Sequence, residues 1–422
     1  MKKVALSLAG VLAAAAFAPE ASALPAFARQ TGMACSACHF QHFPVLNGFG
    51  QAFRASGYTL MGAQGKVEGE HLSLPDTMNA AFLLKVRYQK NNNAVAAGTT
   101  PGSSEATGQV QFPDEYSLFF GGRIADSDNI KIGFMTENAP LGGGFGAGIF
   151  NGIKVPVVVS LGAADVLVVP YITDALGAAY GFEQSSTGVT RGIRWAEHRR
   201  EVSAAQFTGV GSGAAQGVAF VAKTDMGYVN FSKWHAGVGT GNMTSTWLRV
   251  AATPTVADWN LHVGFGLASG SSQAATADAG VETKGNTIDV QAQGELAGME
   301  TSFYLQNSTA NKTSAAAAAS GFVNQYNNST VNDVKATSVG ADFTVIPHTL
   351  SVGVALRNGK NKGGFTDNAT TVAVVYDLFM NVALVANYSM YSGNAKDNGG
   401  YATHCGTVTG SNCMTLMLEA SY

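Results

Sequence analysis

From Asn79 to the C-terminus this chain alternates apolar and polar side chains with a period of two, the signature of strands that have one greasy face and one polar face. Trp259, Leu261, Val263, Phe265 and Leu267 alternate with Asn260, His262, Gly264, Gly266 and Ala268. Leu350, Val352, Val354 and Leu356 alternate with Ser351, Gly353, Ala355 and Arg357, and Ile288 and Val290 with Asp289 and Gln291. Beyond the N-terminus no apolar run reaches the roughly 18 residues a spanning helix needs. The best candidate, 155–169, is interrupted by Pro156, Gly162 and Asp165. Charged residues are only 13% of the chain, well under the usual share in soluble domains. With 46% hydrophobic residues it is too apolar to be disordered. A net charge of −3 and no basic cluster exclude a nucleic-acid partner. Two architectures remain: a large soluble β-protein or a transmembrane β-barrel.

Strand number and loop lengths separate them. The alternation predicts sixteen strands, near 79–90, 115–125, 128–137, 176–196, 201–209, 215–223, 226–235, 244–253, 257–268, 285–296, 298–307, 335–346, 348–358, 369–379, 381–391 and 413–422. The segment 138–173 either folds into the lumen or adds two strands, which leaves sixteen and eighteen both open. Short turns, such as 126–129, 346–348 and 378–381, mark one side, and long polar loops at 91–112, 269–284, 308–334 and 392–412 mark the other. Short periplasmic turns with long outer loops belong to outer-membrane barrels. The last strand, Met414 to Tyr422, is amphipathic and ends in an aromatic residue, like the sorting signal of such barrels. The expected fold is therefore all-β: an antiparallel barrel of about sixteen strands in outer-membrane lipid. In lipid every backbone amide must pair internally, so the sheet must close. Lys85, Arg87, Arg123, Arg249, His262, Asp289, Glu295, Glu300, Asp342 and Arg357 are then expected to face the lumen.

The N-terminus adds an export signal and a chemical motif. Lys2 and Lys3 precede an apolar stretch, Val4 to Ala18, and the small-residue site Ala21-Ser22-Ala23, which together predict a signal peptide over 1–23. Beyond the reducing cytosol, Cys35-Ser36-Ala37-Cys38-His39 reads as a c-type haem attachment site. Cysteines three apart reach both vinyl groups of the porphyrin, and His39 supplies the proximal imidazole. A redox dithiol needs a thioredoxin-like βαβ context, and a zinc site needs a second ligand pair; neither is present. Cys405 and Cys413 remain as a disulfide that stiffens a polar loop. Met33 and His42 lie too near His39 in sequence to reach the opposite haem face. Met61, His71 and Met78 have enough intervening chain, with Met61 the favoured distal ligand, and the barrel itself is a further source.

The predicted domains are the signal peptide, a small, mostly helical cytochrome segment over 24–74, and the barrel over 75–422. About fifty residues cannot wrap both faces of a haem. The segment is therefore expected to plug the lumen, with the barrel wall completing the pocket. The stretch Leu24-Pro25-Ala26-Phe27-Ala28-Arg29-Gln30-Thr31-Gly32-Met33-Ala34-Cys35 through Gln41 resembles the opening of the fused monohaem cytochrome–porins, as does Pro44-Val45-Leu46-Asn47-Gly48-Phe49-Gly50 through Leu60. That family comprises outer-membrane Fe(II) oxidases of iron-oxidising bacteria. The resemblance implies one covalent haem c held by Cys35, Cys38 and His39, with Arg29, Gln30 and Thr31 as propionate or docking contacts. It also implies Fe(II) as electron donor and a periplasmic cytochrome c or copper protein as acceptor. Two other activities fit the same parts: a diffusion porin whose haem segment is a plug or sensor, and an electron conduit for a different donor.

Overall fold

The computed structural model describes residues 25–62, 64–93, 105–138, 152–186, 188, 189, 191, 193–272 and 280–422. The signal at 1–23, and parts of 91–112, 138–173 and 269–284, lie outside the described residues. Strand β1 (Ala80–Asn91) is followed by β2 (Gln109–Asp126), β3 (Ile130–Asn138), β4 (Gly152–Lys154 and Val157–Ser160) and β5 (Asp165–Thr173). After an inward excursion come β6 (Ala215–Thr224), β7 (Gly227–Ala236), β8 (Ser245–Ala252 and Thr255–Val256) and β9 (Trp259–Ser269). The rest are β10 (Gly285–Leu296), β11 (Met299–Ala310), β12 (Val334–Ile346), β13 (Leu350–Lys360), β14 (Asn368–Phe379), β15 (Val382–Ser392) and β16 (Asn412–Ser421). Each pairs antiparallel with its neighbours, and β16 closes on β1 from Cys413 opposite Asn91 to Ser421 opposite Leu83. The result is a closed barrel of sixteen strands, two of them interrupted. Pro156 and Pro254 sit at those interruptions, where a missing N–H cannot join the ladder.

The alternation sorts residues as the pattern requires. On β10, Thr287, Asp289, Gln291 and Gln293 are buried, while Ile288 is 46% exposed on the outer face. On β13, Ser351, Ala355 and Arg357 are buried and Val354 and Leu356 are exposed. Of the expected lumen residues, Lys85, Arg87, Arg249, His262, Asp289, Asp342 and Arg357 are buried. Glu295 is exposed at the short-turn rim of β10, and Arg123 and Glu300 are half-buried near the same rim. Gly264 and Gly266 leave room inside the wall for Arg249 and Trp247, whose atoms a side chain at either position would strike. Among the described residues no helix is long and apolar enough to cross a membrane.

Two expected strands are corrected. The chain over 176–196 is not a strand but an irregular loop folded into the lumen, with Gly177 and Gly188 at positive φ of 67° and 82°. The expected strand at 201–209 contains two short helices, α3 (Arg199–Val202) and α4 (Ala204–Thr208). Ser203 caps α4 by accepting from the Gln206 N–H, and Gly209 ends it at a φ of 78°. The two missing strands come instead from the segment left open at 138–173, as β4 and β5.

The N-terminal segment is helical only in part. Helices α1 (Pro25–Thr31) and α2 (Gly48–Ala55) flank a 3₁₀ turn at Cys35–Ala37, but Lys66–Gly69 and Leu72–Pro75 form an extended hairpin. Gln41 donates to the Glu300 and Asp342 carbonyls and accepts from Ser302 Oγ, which seats the segment against the inner wall of β11 and β12.

Because the outer face meets lipid, Val354→Arg near the middle of β13 should cost about 2–4 kcal/mol. Urea titration of folding into lipid vesicles measures this; an unchanged midpoint would mean that this face does not contact hydrocarbon.

Candidate cofactor site in the barrel lumen

The Cys35–Ala37 turn is closed by Cys38 N–H and His39 N–H, which donate to the Cys35 carbonyl at 3.1 and 2.9 Å. Asn47 fixes the other end of the motif. Its amide donates to the Ala37 carbonyl at 3.0 Å, its N–H donates to the Cys38 carbonyl, and its side-chain oxygen caps the Gly48–Ala55 helix at Gly50 N–H. So braced, Cys35, Cys38 and His39 line one cavity of about 370 Å³ in the lumen. Its other walls are barrel residues such as Leu83, Phe119, Met135, Val385 and Met417, and the inward loop from Asp174 to Arg199.

His39 is prepared as a ligand. Its Nδ1 lies 3.2 Å from the Val45 carbonyl, so the proton belongs on Nδ1 and Nε2 is left as the electron-pair donor. Burial brings its pKa down to about 4, which keeps the ring neutral. Burial, with the Cys35 thiol beside it, pushes the Cys38 thiol up. Two thiols three residues apart and a neutral imidazole next to the second, in a cavity whose walls are partly apolar and partly charged, make a donor set that fits a covalently attached haem.

Of the other expected site residues Thr31 lines the cavity, and the rest lie elsewhere. Arg29 does not line the cavity. Its guanidinium donates to the Ala80 carbonyl at 2.5 Å and lies over the Tyr422 ring, so it docks the first helix on the seam where the barrel closes. Gln30 donates to the Tyr58 and Leu60 carbonyls and is likewise a docking contact. Met61 is also absent from the cavity wall, whereas Met33 and, from the barrel, Met135 and Met417 are part of it. Cys405 and Cys413 are joined by a disulfide in an outer loop, with Cys413 Sγ 3.5 Å from His198 Nε2.

Sequence reasoning missed Arg191, Arg194, Glu197 and Arg199, which all line the cavity from the inward loop. A signal was available: 191–201 reads Arg-Gly-Ile-Arg-Trp-Ala-Glu-His-Arg-Arg-Glu, with six charges in eleven residues of a chain that is 13% charged. Such density does not suit a lipid-facing strand. Glu197 is held well below the usual carboxylate range because Arg199, Lys85 and Arg87 outweigh its burial. It bridges Arg199 at 3.1 Å and Lys85 at 3.3 Å, while Lys85 reaches Glu115 at 2.9 Å and Glu419 at 3.4 Å.

The barrel, its apolar outer belt and its short-turn and long-loop ends define a bacterial outer-membrane β-barrel protein. No family model matches the chain, and no curated protein matches it. Among solved structures it is similar to outer-membrane expressed OmpT of Vibrio cholerae, at 12% identity over 85% of this chain and 100% of that chain with a TM-score of 0.44. It is similar to the outer membrane channel DcaP of Acinetobacter baumannii, at 10% identity over 82% and 97% with a TM-score of 0.49. It is also similar to the anion-selective porin from Comamonas acidovorans, at 16% identity over 81% and 98% with a TM-score of 0.48.

One contact ties the site to the wall through a titratable group. His42 Nε2 lies 2.9 Å from Asp342 Oδ2 on β12. Burial lowers the His42 pKa, but the bond to Asp342 and its charge outweigh it and raise the net value above 6.5. A raised folded-state pKa stabilises docking fully below pH 6.5, and the contribution is lost as pH rises through the higher folded value. Hydrogen exchange across 38–47, corrected for intrinsic rates, should therefore be slower at mildly acidic pH than at alkaline pH. Asp342→Asn should flatten that dependence and loosen the segment by about 1–3 kcal/mol.

Proposed function

We propose that this protein is an outer-membrane electron-transfer protein carrying one c-type haem in the lumen of its barrel. The observation that carries the reading is the cavity itself: Cys35, Cys38 and a His39 whose Nδ1 faces the Val45 carbonyl open onto one space lined by barrel wall and inward loop. When bound, haem c supplies one-electron redox chemistry, by which an external Fe(II) donor is oxidised to Fe(III) and a periplasmic cytochrome c or copper protein is reduced. The chain's own residues do the rest. Cys35 and Cys38 hold the porphyrin edge, and Val45 fixes the His39 tautomer and ring orientation. Leu83, Phe119, Val385 and Met417 exclude water. The donor and the direction of flow follow the resemblance of the N-terminal stretch to the cytochrome–porins.

A second reading, a diffusion porin with a haem-bearing plug, is favoured by the barrel's pore architecture and by its inward-folded outer loop. Conductance in planar bilayers separates the two. A filled lumen should give no stable open channel, and steady ohmic conductance in every insertion would move the assignment to the porin.

Full-length protein made with the haem-attachment machinery and purified from outer membranes should carry one covalent haem, seen as peroxidase activity in denaturing gels. Cys35→Ala with Cys38→Ala should abolish it while the barrel still assembles. Mixing with Fe(II) should reduce the wild-type chain by one electron. Reduction by dithionite but not by Fe(II) would remove iron as donor, and a haem-free wild-type chain would remove the whole reading.

A further inference from the structure

The inward loop delivers two cations to the cavity that, among the described residues, no hydrogen bond or direct ion pair engages, although Glu137, Glu197 and Glu419 act on them from a distance. Six Lys and Arg side chains line the space, and four of them have partners. Arg54 donates to the Ser185 carbonyl and Lys154 to the Tyr180 carbonyl, while Lys85 and Arg199 are ion-paired with glutamates. The same barrel pairs its deepest guanidinium groups without exception: Arg249 with Asp289 at 2.6 Å, and Arg357 with Asp367 at 2.9 Å. Arg191 and Arg194 break this rule. Among the described residues neither makes a side-chain hydrogen bond nor lies within 4.0 Å of a carboxylate oxygen, although Glu137 and Asp174 line the same cavity. Both side chains are half-buried in the cavity wall, and a guanidinium that gives up part of its water there gains from an anion placed within hydrogen-bond reach. Burial, and then crowding by Arg199, brings Arg194 down to about 10, and the same causes depress Arg191.

These side chains are not loosely held. On one side of them Gln306 donates to the Val189 carbonyl at 2.8 Å. Between and after them Ile193 and Trp195, each 2% exposed, pack against Ala355 and Gly353 of β13 and their neighbours. These contacts hold the backbone from which Arg191 and Arg194 project into the cavity.

From this we infer that Arg191 and Arg194 form an anion clamp that receives the two propionate carboxylates of haem c. The inference rests on the haem reading above and adds its second half: the N-terminal segment supplies the thioethers and axial nitrogen, and the inward loop supplies the countercharge. Guanidinium suits the task because its planar fork matches a carboxylate with two donors, and Arg keeps its charge when buried. The role assigned from sequence to Arg29 thus passes to a loop some 160 residues further on.

The test uses the full-length, haem-loaded protein in detergent, with barrel assembly of every variant checked by heat-modifiable gel migration. Arg191→Gln with Arg194→Gln should leave the covalent haem content unchanged, since the thioethers lie on another segment. The midpoint potential should fall, because lost positive charge favours the oxidised iron, and the propionate bending bands in the resonance Raman spectrum should shift. Each single substitution should give part of both changes. Arg→Lys at both positions should restore most of the potential but not the bands, since a point charge lacks the fork. An unchanged potential with unchanged bands in the Gln double variant overturns the clamp. Wild-type protein without covalent haem overturns the underlying reading and the clamp with it, and that result is read before any variant is made.

Discussion

Hydrocarbon offers no partner for a peptide N–H or C=O, and every other feature of this molecule follows from that. The sheet must close, so β16 finds β1 and no edge remains. Closure turns one chain face outward to lipid and leaves the lumen as the only compartment for polar chemistry. A chain with only 13% charged residues nonetheless buries Arg249, Arg357, Asp289 and Asp342 almost completely. Those charges lie inside the wall, and the Arg249–Asp289 and Arg357–Asp367 pairs repay their desolvation with two good hydrogen bonds apiece.

A lumen this wide stays wet unless it is filled, and two unrelated stretches of chain fill it. The N-terminal segment seats itself near the short-turn end through Gln41 and His42, while 174–214 folds in between β5 and β6 from the other end. They touch where Leu46 N–H donates to the Ser186 carbonyl and Arg54 to the Ser185 carbonyl. The outer loop with the Cys405–Cys413 disulfide lies over the second piece, with Glu201 accepting from Tyr391 OH and His404 N–H. The cavity is therefore a shared product. Cys35 and His39 come from one insert, Arg191 and Arg194 from the other, and Met135 and Met417 from the wall. None of the three could enclose it alone.

Much of this was legible because period-two alternation is a local property. The rows through Val263, Ile288 and Val354 keep their phase, and fourteen of the sixteen expected strands lie on barrel strands of the structure. The two errors share one cause: a search for strands in a barrel accepts apolar residues at any spacing. Ser203, Gln206 and Gly209 carry the cap and stop signals of a helix, and the charges of 191–201 are too dense for lipid. Cys35 to His39 stand out in the sequence because the motif is consecutive, and the structure places all three of Cys35, Cys38 and His39 on one cavity. The cavity's far wall could not be read this way. Arg194 and Met135 approach His39 only after strands far apart in sequence have closed, and no spacing rule encodes that meeting. Arg29 shows the converse, a residue close to the motif in sequence that closure recruits for the seam.

The filled lumen bears on what such a barrel can transmit. A solute crosses only through a connected void wider than itself, and here Gln41, Gln51, Ser203 and His198 bond the two inserts to the inner wall. An electron needs no void. It passes through packed atoms from one redox centre to the next, so packing that hinders diffusion does not hinder electron transfer. The same side chains that would spoil a pore would therefore serve a conduit, provided that a centre sits within the packing. The CxxCH turn, Arg191 and Arg194 line one cavity, and it is on that cavity that the conduit proposal rests.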